Sequence, residues 1–153
     1  MTAYLWVKLV HIISATVLFG TGIGTAFFML KAYLSNSDEV MRETTKHVVQ
    51  ADWLFTTPAV VIQLATGVWL TNFLSIDFGS SWFLTVIGLF AFVGACWIPV
   101  VWIQIRIARL LRQGASRDRY RPLMRVWIAL GIPAFGSMLL LFYVMVSKYG
   151  AYA

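Results

Sequence analysis

The chain has 153 residues, of which 60% are hydrophobic and 12% are charged, and its formal net charge is +6. Soluble domains average about 45–50% apolar and about 25% charged residues, so this composition excludes an ordinary soluble protein and indicates an integral membrane protein. The positive charge does not indicate nucleic-acid binding, because the basic residues lie between apolar runs, where they set membrane topology. The length suits a single domain covering residues 1–153.

Four apolar runs are long enough to cross a membrane, since a spanning helix needs roughly 20 apolar residues. They cover residues 4–30, 53–73, 82–105 and 126–147. Strands are excluded, because the runs are continuously apolar rather than alternating. The first run also exceeds the roughly 7–15 residues of a signal-peptide core, and no small-residue cleavage site follows it.

The first run carries two ionisable residues, Lys8 and His11, on one helical stripe with small residues such as Ser14 and Gly22. Inserting an ionisable group at this depth costs a few kcal/mol, which favours a functional role. A neutral imidazole is a common axial ligand of haem iron, and Lys8 could pair with a porphyrin propionate. Alternatively, Lys8 extends to the interface and His11 hydrogen-bonds a neighbouring helix.

A polar segment precedes the second run, and it predicts a helix start. Ser35 or Ser37 can cap a helix that begins near Asp38, with acidic residues in its first turn. This helix is predicted to continue into the second run, so part of it would protrude from the bilayer. Within the run, Gln63 is predicted to form an interhelical hydrogen bond. Asp52, at its edge, is predicted to form an ion pair with an arginine, either Arg106 or Arg125.

The last two runs have similar boundary signals. Ser80 or Ser81 is predicted to cap the third helix. The connection to the fourth helix is predicted to break at Gly114, and Pro122 is predicted to lie in the first turn that follows.

Lysine and arginine are distributed unevenly between the connections. The first connection contains Lys31, Arg42 and Lys46, the second contains none, and the third contains Arg106, Arg109, Arg112, Arg117, Arg119, Arg121 and Arg125. The positive-inside rule then places the first and third connections in the cytoplasm and both termini outside. The predicted fold is an all-α four-helix membrane bundle. The arginines can also contact anionic lipid headgroups, and the other interpretation is a docking surface for an acidic partner.

Helix-breaking residues occur at similar depth in all four runs. Pro58, Pro99 and Pro133 interrupt three of them, and the first run has Gly22 between two further glycines at a comparable level. Two interpretations remain open. These residues could be ordinary features of membrane helices, where glycine permits close packing, or they could surround a cavity for a flat cofactor or an apolar substrate.

Two resemblances are visible in the sequence. The segments HVVQADWLFTTPAVV, WIPVVWIQIR and RVWIALGIPAF resemble an uncharacterised family of small four-span bacterial inner-membrane proteins (a domain of unknown function). The segment YLWVKLVHI, followed by FGTGIGTAFF, resembles the first helix of HemJ-type protoporphyrinogen oxidases. Those four-span proteins bind haem b and oxidise protoporphyrinogen IX. This resemblance implies that Trp6, Lys8 and His11 bind the cofactor, with His11 on the iron.

A second iron ligand is not evident. His11 is level with about residues 66–67 of the second helix, and His47 lies some twenty residues further, roughly 30 Å away. One haem cannot contact both histidines, although His47 could form a separate site. Met138 is near His11 in depth and could supply a thioether; alternatively, it fills the core.

These features predict a multi-pass, haem-b-binding redox protein of the bacterial inner membrane. The expected activity is HemJ-like porphyrinogen oxidation or quinone-linked oxidoreduction. The alternative is a non-enzymatic accessory or assembly subunit of a membrane complex. Expected partners are the lipid bilayer, a quinone or porphyrin, and either a second copy of the chain or another membrane protein.

Overall fold

The computed structural model describes residues 2–147, and no strand occurs within that range. Five α-helices follow in order: α1 (Thr2–Leu34), α2 (Asp38–Ala51), α3 (Thr57–Phe73), α4 (Ser81–Arg112) and α5 (Arg117–Ser147). A π-helical turn, Asp52–Thr56, joins α2 to α3, so that they continue as one helix, Asp38–Phe73. This helix, α1, α4 and α5 are the four in the described chain that are long and apolar enough to cross a membrane. The predicted all-α, four-helix membrane fold is confirmed.

The helix boundaries follow the predicted capping residues. Ser37 caps α2, where its hydroxyl accepts a hydrogen bond from the Val40 backbone N–H at 3.3 Å. Ser80 caps α4 in the same way through the Phe83 N–H, also at 3.3 Å. Gly114 ends α4 with a φ of 70°, a left-handed conformation that glycine adopts without a steric penalty.

The prediction for Pro122 is wrong. Helix α5 begins at Arg117, five residues before the proline, so Pro122 lies inside the helix and not in its first turn. The helix starts early because Ser116 O accepts from the Arg119 N–H at 3.0 Å. The first turn is therefore complete before the proline is reached.

The helices pack as two pairs joined at one end. Helix α1 packs along α3, α4 packs along α5, and α2 contacts both α1 and α4. The end that contains α2 also contains the α1–α2 and α4–α5 connections and the arginine run, and we call it the basic end. Its predicted location is the cytoplasm. At this end Tyr120 Oη donates to Asp38 Oδ1 at 2.6 Å, which ties α5 to α2.

The main cluster of buried hydrophobic residues lies at the basic end. Its members are Met29, Ala32, Met41, Val48, Ile103, Ile107, Leu111, Tyr120, Met124 and Trp127. Towards the other end, large apolar side chains are exposed instead, for example Ile132 (69%) and Ile98 (67%). Exposed apolar surface of this extent is stable only in lipid, so this part is the membrane half.

Candidate functional site: a cavity between the helix pairs and a histidine network beside it

A cavity of about 530 Å³ lies between the two helix pairs in the membrane half. It forms there because α1 and α5 make little contact across the gap. Most of its lining is apolar, with aromatic side chains such as Phe19, Phe90 and Phe135. Its volume is within the roughly 300–1,000 Å³ that is typical of small-molecule sites.

Glycines contribute to the width of the cavity. Gly22 on α1, Gly94 on α4 and Gly131 on α5 all line it, and a Cβ added at any of them would meet no atom within 4 Å. These glycines therefore do not serve close helix packing within this chain. Of the predicted layer of helix breakers, Gly22 lines the cavity, whereas Pro58, Pro99 and Pro133 do not, although neighbours such as Val100 and Ala134 do.

A polar region centred on Asp52 lies at the cavity side nearest the basic end, and Gln63 and Thr25 also line the cavity. Thr56 Oγ1 donates to Asp52 Oδ1 at 2.9 Å. The Gln104 amide, oriented by its partners, donates to Asp52 Oδ2 at 2.6 Å and accepts from Trp127 Nε1 at 3.3 Å. Asp52, Thr56 and Gln104 are all buried. Both donors to the carboxyl group are neutral, and the one from Gln104 joins α4 to the long helix.

The π-helical turn has a local cause. The Thr57 backbone N–H bonds to Asp52 O, five residues earlier, and Thr57 Oγ1 donates to the same oxygen at 2.9 Å. Pro58 has no N–H, so the following helical hydrogen bond, to Leu54 O, cannot form. With the ladder already interrupted, the wider turn is accommodated, and Asp52 and Thr56 both face the cavity.

Trp97 adds a further donor beside this carboxyl group. Its indole Nε1 is buried and lies next to Asp52, but it has no hydrogen-bond partner of good geometry among residues 2–147. Trp97 lines the cavity. Since buried N–H groups are almost always paired, this indole N–H needs an acceptor, supplied either by a small shift towards the Asp52 carboxyl group or by a ligand in the cavity.

The predicted ion pair between Asp52 and an arginine is wrong. Arg106 instead stacks on Trp102, with its guanidinium carbon 5.1 Å from the ring centroid, and Arg125 is exposed. Within the described chain, the ion pairs join Glu43 to its neighbours Arg42 and Lys46 on α2. Long arginine side chains at the membrane edge extend outwards, while the short Asp52 side chain stays in the bundle and is satisfied by neutral donors.

His11 packs against α3 at the predicted level. Its Nδ1 lies 2.8 Å from Thr66 Oγ1 and its Nε2 lies 3.0 Å from Gln63 Nε2. A Cβ on Gly67 would lie 3.4 Å from His11 Cε1. Ser14 Oγ donates to Gln63 Oε1. The predicted interhelical role of Gln63 is therefore confirmed.

These contacts fix the imidazole tautomer. The Gln63 amide nitrogen can only donate, so His11 Nε2 must accept from it. His11 Nδ1 then carries the proton and donates to Thr66 Oγ1, whose own hydroxyl donates to Ile62 O at 2.6 Å. The imidazole is neutral, and both of its nitrogens are occupied.

The other predicted cofactor-binding residues do not gather around His11. Trp6 faces away from the bundle and is 64% exposed. Lys8 is also exposed and lies over the Tyr4 ring, 5.5 Å from its centroid. Met138 lines the cavity, whereas His11 does not. His47 is exposed on α2 and its Nδ1 is 3.3 Å from Gln50 Oε1.

Haem does not fit at His11 in this arrangement. An iron ligand needs a free nitrogen lone pair, and the lone pair of Nε2 is taken by Gln63. The close approach of Gly67 to the ring leaves no space for a porphyrin on that side. Elsewhere in residues 2–147, no three His, Cys, Asp or Glu side chains are grouped closely enough to hold a metal ion.

Sequence reasoning missed Gln104 and Trp97. The available signal was depth: Gln104 is the one polar residue of VVWIQI, and it lies at the same level as Asp52 because α4 runs antiparallel to the long helix. Nothing in the sequence distinguishes Trp97 from the six other tryptophans.

Comparison with known proteins gives a family but no characterised relative. No curated protein matches the chain, and no solved structure matches it. One family model, described as "Predicted integral membrane protein (DUF2269)", matches residues 5–149. Because that match covers almost the whole sequence, the chain belongs to this family of integral membrane proteins.

Proposed function

We propose that the protein binds a lipid-soluble small molecule in the cavity between its helix pairs, in the bacterial inner membrane, and that its ligand is a quinone-type molecule. The observation that supports this most directly is the cavity itself, which combines about 530 Å³ of mostly apolar space with a few polar groups in its lining. Small-molecule sites have this composition, with an apolar body and a few polar groups that fix orientation.

The lining favours a quinone over a porphyrin. Haem proteins bind iron through His, Cys, Met or Tyr side chains, and of the described residues around the cavity only Met138 is of these types. A quinone needs no such ligand. Its ring suits the aromatic walls, and its oxygens can accept hydrogen bonds from buried donors such as Trp97 Nε1.

The test is to fill the cavity. Gly94→Leu and Gly131→Leu place a side chain in the cavity, whereas Gly88→Leu and Gly136→Leu are matched controls on the same two helices. Both control glycines also have open space for a Cβ but lie outside the cavity lining. Binding of a short-chain naphthoquinone is measured by equilibrium dialysis against protein-loaded and empty nanodiscs.

Leucine in the cavity should weaken naphthoquinone binding by about tenfold or more, because overpacking costs about 1–3 kcal/mol and 1.4 kcal/mol is one factor of ten. The control variants should bind like the wild type. Equal binding by all four variants would rule out the cavity as the site. Absence of binding, together with a stoichiometric membrane partner in the preparation, would instead favour the accessory-subunit alternative.

Haem b is the second candidate, favoured by the Trp6, Lys8 and His11 pattern and its resemblance to HemJ-type oxidases. It requires Gln63 to leave His11 Nε2. Reduced-minus-oxidised spectra of protein expressed with a haem precursor test this. Haem bands that increase in Gln63→Ala and disappear in His11→Ala would support ligation by His11. Colourless protein from both the wild type and Gln63→Ala would exclude it.

A further inference from the structure

The polar side of the cavity presents two unlike groups to a ligand. The Asp52 carboxyl group accepts one hydrogen bond on each oxygen, from Thr56 and from Gln104, and a carboxylate has about four lone-pair sites. It can therefore accept a further hydrogen bond. Beside it, Trp97 Nε1 can only donate, and it has no partner of good geometry within residues 2–147.

Few chemical groups can form hydrogen bonds with both the Asp52 carboxyl group and the Trp97 N–H. A carbonyl oxygen would accept from Trp97, but its lone pairs would face those of the carboxylate. An ammonium would donate to Asp52, but it has no lone pair for Trp97. A hydroxyl group does both, because its O–H donates and its oxygen accepts. Leaving either buried group unpaired would weaken binding.

We propose that this pair of residues recognises a hydroxyl head group, so that the cavity binds an amphiphile of the quinol or phenol class. The hydroxyl donates to Asp52 and accepts from Trp97 Nε1, while the apolar remainder lies among the aromatic walls. The inference rests on the proposed cavity function and specifies the ligand further, since it selects the hydroxyl-bearing form over the quinone.

The surroundings hold this pair in position. Gln104 is itself anchored by Trp127 Nε1 at 3.3 Å, and Trp127 belongs to the core of the basic end. The π-helical turn fixes Asp52 and Thr56 on the cavity side. Hydrogen bonds to a carboxylate in a site of low polarity are strong, so the head group, and not the apolar tail, should decide selectivity.

Four probes that share one ring system separate the possible head groups. These are 2-naphthol, 2-methoxynaphthalene, 1,4-naphthoquinone and 2-naphthylmethylamine. Each is measured by equilibrium dialysis against nanodiscs with and without the full protein. The variants are Asp52→Asn and Trp97→Phe, and Trp102→Phe is the control because Trp102 lies on the same helix but is 55% exposed. Gly94→Leu reports on the cavity as a whole.

The wild type should bind 2-naphthol about tenfold or more tightly than 2-methoxynaphthalene, since only the naphthol can donate to the Asp52 carboxyl group and an unpaired buried acceptor weakens binding. Both Asp52→Asn and Trp97→Phe should reduce that ratio, and Trp102→Phe should preserve it. If Asp52→Asn does not fold, the Trp97→Phe result decides alone, because this change removes only the N–H and part of the ring.

The failing outcomes are distinct. Equal binding of all probes, abolished by Gly94→Leu, would overturn the head-group inference but leave the proposed cavity function intact. Tightest binding of the amine or the quinone would also overturn it, in favour of that head group. No specific binding of any probe would overturn the proposed function and this inference together.

Discussion

At the basic end, ten side chains from four helices interlock into a core in which Met29, Met41, Ile107 and Met124 are fully buried. In the membrane half, the same long helices separate around a cavity of about 530 Å³. The two regions have different surroundings, water near the basic end and lipid around the membrane half. Where the bundle extends towards water, the hydrophobic effect drives side chains together. Between lipid tails no such force acts, so the helices need not close up.

This division of the molecule assigns tight packing to the basic end and the proposed binding cavity to the membrane half. The bundle is held by its basic end, and the membrane half can keep an open, glycine-lined space at little cost. A lipid-soluble ligand could therefore enter without disrupting the core.

The largest effect should come from truncation in the core. Ile107→Ala should reduce the free energy of unfolding by about 2–5 kcal/mol, because it leaves a void in a closely packed region. The matched change Ile132→Ala, at a lipid-exposed position of the membrane half, should have little effect. Reversible unfolding of both variants in mixed micelles measures the difference, and equal losses would contradict the division.

Enlarging a small residue should have opposite consequences in the two regions. Ala32 is 4% exposed in the core, so Ala32→Leu should destabilise by about 1–3 kcal/mol through overpacking. Gly131→Leu should be neutral or stabilising, because a Cβ there meets nothing within 4 Å and leucine has the better helix propensity. Melting temperatures in detergent compare them, and a large loss in Gly131→Leu would mean that the cavity is closed in solution.

The histidine network should have a moderate effect. Gln63→Leu removes the bonds to His11 and Ser14 and should cost about 1 kcal/mol, since interhelical hydrogen bonds in membranes average about 0.6 kcal/mol. A double-mutant cycle with His11→Ala should show that the two losses are not additive. Additive losses would mean that the residues do not interact.

The smallest effect is expected at Lys8. Its exposed contact with the Tyr4 ring is worth about 0.5–1 kcal/mol at most, so Lys8→Ala should leave both stability and naphthoquinone binding almost unchanged. If instead Lys8→Ala abolishes haem or quinone binding, the site lies on the outer face of α1 and not in the cavity.

Much of the fold could be predicted from the sequence, because hydropathy and capping are local signals. The four apolar runs each lie within one described helix, and Ser37 and Ser80 cap where expected. The error at Pro122 also has a local cause. The sequence pattern indicates where proline is tolerated, but it does not show that the hydrogen bond from the Arg119 N–H to Ser116 O begins the helix five residues earlier.

The site could be predicted only in part. Counting residues along antiparallel helices placed His11 level with residues 66–67, and Thr66 and Gly67 do contact it, since depth follows from the rise per residue. Depth alone, however, does not give the orientation of each helix about its own axis. Asp52 was assigned a charged partner at its own level, whereas packing turns Gln104 towards it and Arg106 away. Which faces meet depends on all four helices together, and no local pattern records it.

The π-helical turn has a consequence for how the chain tolerates insertions and deletions. The turn contains one residue more than a regular α-turn, and its three middle residues, Trp53, Leu54 and Phe55, are exposed. If it relaxed to regular α-helix, everything beyond it would rotate by about 100°, and Gln63 would leave His11. If one of the three exposed residues is deleted, the turn can become a regular α-helical turn without rotating α3, so Gln63 should stay against His11. The turn accommodates one extra residue locally. The irregularity is therefore confined to Asp52–Thr56, and the helix beyond it keeps its register with the rest of the bundle.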